Sequence, residues 1–185
     1  MRKFEAWITS RFNPRIYSDK GSLPKLYAIF IGRIIKTKAQ SIDEFINLKN
    51  IAIAGVSANK RKFGYTAYLE MSQKGYNIQP VNLNQAFING VKTAPNLRSL
   101  KQKPQGVLIV LPPSETEKVV RESIELGIGH IWMQQGAESE TAVNCCLENG
   151  VMPVSGECIL MYARPVTSIH KFHRWIWKLL GKIKN

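Results

Sequence analysis

The stretch that most limits what this chain can become is Ile51-Ala52-Ile53-Ala54-Gly55-Val56-Ser57, an apolar run that halts at a glycine and a serine. A short run of this kind, β-branched at alternate positions and closed by a turn signal, reads as a strand buried on both faces, and such strands belong to parallel sheets. Gly55 permits a sharp turn and lets a ligand approach bare backbone. The helix expected to begin near Gly64 aims its free N–H groups and the positive end of its dipole at the same place. Lys60, Arg61 and Lys62 stand just before it. The local reading is an anion site with three cations at its mouth. A full dinucleotide fingerprint has glycine where this chain has Ser57, so a strand, turn and helix that bind nothing remains the alternative.

Strands and helices go on alternating. Ser41-Ile42-Asp43-Glu44 reads as a capping box that opens a short helix to about residue 48. A helix over 64–74 ends at Gly75, and a second strand follows over 76–81, with Asn82-Leu83-Asn84 as its exit loop. Asn89-Gly90 marks a tight turn, and a short helix is read near 96–100. A third strand over 106–111 stops at Pro112-Pro113, after which Ser114 caps a helix to about 126 with acids in its first turn. A fourth strand over 129–133 leads to Gln134-Gln135-Gly136, then a helix over 138–148, Gly150, and a last strand over 151–154. Five parallel strands with crossover helices make an α/β fold. In such a sheet a ligand sits beyond the carboxyl ends of the strands, where strand order reverses. The loops at 55–62, 82–84, 112–113 and 134–136 meet there. Asn82 and Gln134 each carry a donor and an acceptor, and Pro112 and Pro113 form a rigid apolar wall.

Charge divides the chain. Net charge is +13, with +7 in residues 1–40, zero in 41–163 and +6 in 164–185. A neutral domain over 41–163 thus carries a basic N-terminal extension and a basic C-terminal helix. Basic arms fit contact with nucleic acid or an anionic membrane surface, or serve solubility alone. The C-terminal helix, from about Thr167, sets Ile169, Phe172, Trp175 or Ile176, and Leu179 on one stripe, which suits packing on the domain, on a second copy as a homodimer, or on a membrane surface with Trp175 and Trp177 at headgroup level. No run approaches the ~20 apolar residues of a membrane span. No signal-peptide pattern appears, and the three cysteines form no CxxC pair, so a cytoplasmic location is expected.

With these loops in view, residues 51–161 resemble the small CoA-binding domain family of bacterial cytoplasmic proteins, itself similar to the amino-terminal domain of the succinyl-CoA ligase alpha subunit. The segments that carry the resemblance are Ile53-Ala54-Gly55-Val56-Ser57, Gly75-Tyr76 with Pro80-Val81-Asn82, Ile131-Trp132-Met133-Gln134 with Gly136, and Cys158. The resemblance implies a Rossmann-like three-layer fold that holds coenzyme A or acyl-CoA at the carboxyl edge of its sheet. It implies Gly55, Val56 and Ser57 under the diphosphate, with Lys60 and Lys62 supplying charge and Lys62 in the place of a frequent arginine. Asn82, Leu83, Leu111, Pro112 and Pro113 would flank the adenosine, and Met133 and Gln134 would lie toward the pantetheine. The chain departs from the family at Leu83, where proline is usual, and at Glu157, where a basic residue is usual.

No catalytic constellation or metal site emerges. The related ligases use a phosphorylated histidine in a second domain that does not follow here. His130 opens a buried strand and reads as structural, while His170 and His173 lack a carboxylate or thiol partner for a metal. Cys158 is either a small buried residue or a thiol placed to form a mixed disulfide with CoA. The expectation is a non-catalytic CoA-binding protein. The alternative is an NAD- or nucleotide-responsive module whose arms touch nucleic acid; Asn82, where NAD proteins place an acid for the ribose, weighs against it. An acyl-CoA-using enzyme would need a base that the sequence does not offer.

Overall fold

The computed structural model describes residues 36–82, 84 and 87–163. β1 (Asn50–Ala54) is buried at every position, as a strand flanked by strands and covered on both faces must be. It lies between β2 (Asn77–Val81) and β5 (Gly106–Ile109), and β6 (His130–Gln134) and β7 (Val154–Glu157) complete a parallel sheet in the order β2-β1-β5-β6-β7. Period two then sorts the apolar residues into two layers. Ile51, Ile53, Leu108 and Trp132 face α1 (Lys38–Ile46), α2 (Phe63–Gln73) and a 3₁₀ turn (Ile159–Met161). Ala52, Ala54, Val107, Ile109, Ile131 and Met133 face α3 (Pro113–Glu125) and α4 (Glu140–Glu148). The result is a Rossmann-like three-layer fold with the reversal of strand order between β1 and β5.

Local chemistry fixed several boundaries differently from expectation. The capping box is Thr37 with Gln40, not Ser41 with Glu44: Thr37 Oγ1 accepts from the Gln40 N–H at 3.3 Å, and the Thr37 N–H donates to Gln40 Oε1 at 2.8 Å. α1 therefore starts before residue 41, and Ser41 is buried with its hydroxyl donating to the Met152 carbonyl at 2.9 Å. α3 has Pro112 at its N-cap and Pro113 in its first turn, so Ser114 is already helical; proline's fixed φ suits that place. Residues 96–100 form no helix, because Asn96 Oδ1 takes both the N–H and the hydroxyl of Ser99 and closes a turn. The tight turn expected at Asn89 and Gly90, both at positive φ, joins a small hairpin of β3 (Phe87–Ile88) and β4 (Val91–Lys92).

The last strand lies three residues later than expected. Its pairing with β6 slips: Trp132 is opposite Val154, but Gln134 is opposite Glu157, so β7 carries one extra residue beside Gly156 at φ +72. This is a β-bulge. Trp132 anchors the layer beside it, with its ring 5.4 Å from Phe45 and 5.7 Å from Tyr162 and its indole N–H donating to the Glu157 carbonyl. No helix among the described residues is long and apolar enough to cross a membrane. The readings made for the two basic arms, the C-terminal helix with His170 and His173, and Leu83 lie outside the described residues.

Candidate functional site

A cleft of about 1770 Å³ opens along the carboxyl edge of the sheet. Its floor is the turn after β1. Gly55 adopts φ +96, and a Cβ there would lie 2.9 Å from Leu111 Cδ2 and 3.0 Å from the Val110 carbonyl oxygen. Gly64, in the first turn of α2, approaches closer still: a Cβ would sit 2.6 Å from the Gly55 carbonyl oxygen. Two glycines nine positions apart thus seat the helix against the strand end. The N-cap of α2 is Lys62, which contributes no side-chain bond. The Tyr65 N–H bonds to the Lys62 carbonyl at 3.1 Å, but no side chain caps the first turn, which begins at the cleft with the positive end of the helix dipole.

The loop between them is held by its own polar groups. Ser57 Oγ accepts from the Asn59 N–H at 3.2 Å, and Asn59 Oδ1 accepts from the Arg61 N–H at 3.0 Å. Asn82 ties β2 to this loop: its amide donates to the Val56 carbonyl at 2.5 Å, while its Oδ1 accepts from the Asn84 N–H at 2.7 Å. Asn82 is thus a brace as well as a lining residue.

Gly55, Ser57, Lys62, Asn82, Leu111, Pro112 and Gln134 all line the cleft. The remaining candidates stand elsewhere. The Val56 side chain is fully buried in the layer under α2, and Met133 is fully buried in the opposite layer, because neighbouring positions on a strand alternate. Lys60 is exposed and Pro113 is exposed, and neither lines the cleft. Of the three cations expected at the mouth, Lys62 is the one that lines it.

The sequence reading missed the far wall. Pro95, Asn96 and Arg98, from the segment after the hairpin, line it together with α3 residues Glu115, Glu122 and Glu125. Arg98 pairs with Glu125 and donates its backbone N–H to Glu122 at 3.1 Å. Arg121 holds Glu117 at 2.7 Å, and that hydrogen bond, with one to Thr141, lowers the Glu117 pKa. Helical spacing of acids from 115 to 125 was the available signal, but the partner Arg98 comes from outside the helix. Cys158, partly exposed, lines the end of the cleft beside Gln134.

The sequence profile of the CoA binding domain matches residues 49–164. The chain belongs to the CoA-binding domain family. The matched residues run from just before β1 to just past the 3₁₀ turn, so the CoA-binding domain contains every wall of the cleft. Over 88 residues the chain is 26% identical to the acetate–CoA ligase [ADP-forming] II subunit alpha of Pyrococcus furiosus, covering 47% of this chain and 19% of that protein. The chain therefore spans about a fifth of this curated relative. A conserved hypothetical protein from Pyrococcus furiosus is 33% identical, with a TM-score of 0.58 over 60% of this chain and 96% of that one. A hypothetical protein from Pyrococcus horikoshii shares the fold at 21% identity, with a TM-score of 0.65 over 80% of this chain and 98% of that one.

Proposed function

We propose that the CoA-binding domain holds coenzyme A or acyl-CoA along the carboxyl edge of its sheet and does not convert it. The observation that carries this reading is the Gly55–Gly64 contact at the reversal of strand order, which brings bare backbone and an uncapped helix N-terminus to one point of the cleft. A diphosphate fits there, with Lys62 beside it. Adenosine would lie toward Asn82, Asn84 and the Pro95–Arg98 wall, and the pantetheine would run past Leu111 and Pro112 toward Gln134. Binding without turnover is favoured because five of the charged side chains that line the cleft, Arg98, Arg121, Glu117, Glu122 and Glu125, are engaged in ion pairs rather than poised as a base beside a nucleophile.

Mass spectrometry of small molecules released from the purified full chain, with calorimetric titration of CoA, tests the reading. Bound CoA species or a micromolar-range titration supports it. If nothing is released and CoA neither titrates nor raises the melting temperature, it fails.

A further inference from the structure

Cys158 follows β7 and lines the cleft beside Gln134, the last residue of β6. The two are tied together: the N–H of Ile159, next in the chain to Cys158, donates to Gln134 Oε1 at 3.2 Å. Gln134 is 7% exposed, yet its amide nitrogen meets no acceptor among the described residues. Every fully buried side-chain nitrogen or oxygen there has a partner, so this nitrogen keeps access to the cleft. With Oε1 held by Ile159, the nitrogen is a fixed donor at the cleft surface, open to water or to an acceptor that a ligand brings. The other thiols are unlike Cys158. Cys145 and Cys146 lie on α4 with their side chains buried, and burial pushes the Cys146 thiol pKa up to about 12.

We propose that Cys158 is a covalent site that captures coenzyme A as a mixed disulfide. The inference rests on the CoA reading above. From the turn after β1 to the end of β7 is three strand spacings, roughly 14 Å, a distance to be spanned by a pantetheine arm. Gln134 donates its free amide hydrogens to a carbonyl of that arm and so sets the CoA sulfur at Cys158. The co-reactant is the symmetric disulfide of CoA. The Cys158 thiol loses its proton to water, its thiolate attacks one sulfur of that disulfide, and the S–S bond between the two CoA units breaks. A new bond joins Cys158 Sγ to one CoA, and the other CoA leaves as a thiolate that takes up a proton. Cys158 is oxidised and the departing CoA sulfur is reduced. Excess thiol reverses the step.

The test uses the reduced full chain incubated with CoA disulfide or, in parallel, glutathione disulfide at equal concentration, followed by intact-mass measurement without reductant and peptide mapping. Binding of reduced CoA is titrated separately in reducing buffer. The expected result is one CoA adduct per chain, mapped to Cys158, removed by dithiothreitol, absent in Cys158→Ser, and formed at least about tenfold faster than the glutathione adduct because the site concentrates the CoA disulfide. Gln134→Ala should remove most of that preference. If reduced CoA titrates but no adduct forms at Cys158, or both disulfides react at the same rate, this inference is overturned and the CoA reading stands. If reduced CoA does not titrate either, both fall.

Discussion

Lys60 and Lys62 are two positions apart and have different surroundings, because only Lys62 turns into the cleft as the cap of α2. Lys62→Glu should weaken CoA binding at least about tenfold, and Lys60→Glu by less than about threefold, since a charge contact matters when it meets the ligand and is screened when it faces water. Calorimetric titration of both variants separates the two; equal losses would place the diphosphate outside the turn. Gly64→Ala drives a methyl group to 2.6 Å from the Gly55 carbonyl oxygen, a backbone atom that cannot swing aside. It should cost about 1–3 kcal/mol of stability and reduce CoA affinity, read by thermal melts and titration. Much at this scale was readable in advance: Gly55, Ser57 and Lys62 from the turn after the first strand, and Pro112 and Gln134 from later strand-exit loops, all line the cleft. The bracing role of Asn82 was not, because the Val56 carbonyl it holds is 26 residues away and no local pattern reveals such a partner.

Two capping boxes compete at the start of α1, and the winner is decided by tertiary contact. Both Thr37-x-x-Gln40 and Ser41-x-x-Glu44 fit the pattern, but starting at Thr37 lets Ser41 bond to Met152 and puts Phe45 against Trp132. Thr37→Ala should therefore cost about 1 kcal/mol in a denaturant melt, by loss of the cap. The same helix sets the pH response of β6. His130 Nδ1 lies 3.5 Å from Glu44, which also pairs with Lys36. Burial first, and the Lys36 charge second, lower the His130 pKa below 6.5, with Glu44 opposing them. A histidine whose folded pKa is depressed binds its proton more readily when unfolded, so stability is full above about 6.5 and falls as pH drops from there toward the folded value. His130→Gln should flatten that part of the stability curve, measured by urea melts between neutral and mildly acidic pH; an unchanged slope would assign the loss to other groups. The helices were legible as amphipathic segments, but their ends shifted wherever a cap, a proline or a bonded asparagine outweighed periodicity.

At the scale of the whole molecule, the alternation of strands and helices sufficed to predict five parallel strands, and period two sorts their apolar residues into two layers. The edge elements were harder. β3 and β4 have two residues each, too short for a period to show, and β7 moved by three positions because residues 151–153 make no ladder with β6. The protection order follows from the strand order: β1, β5 and β6, inside the sheet, should exchange their amide hydrogens slowest, and β2 and β7, at its edges, faster, read by hydrogen exchange with mass spectrometry. The surplus residue in β7 carries one more implication. The bulge absorbs the surplus, so Glu157 still stands opposite Gln134 and Cys158 still follows that pair. Deleting Gly156 would make the ladder regular and leave the sulfur beside the same glutamine. Adding a residue between Glu157 and Cys158 has no such buffer: it would carry the thiol one step along the chain and silence it without altering its chemistry.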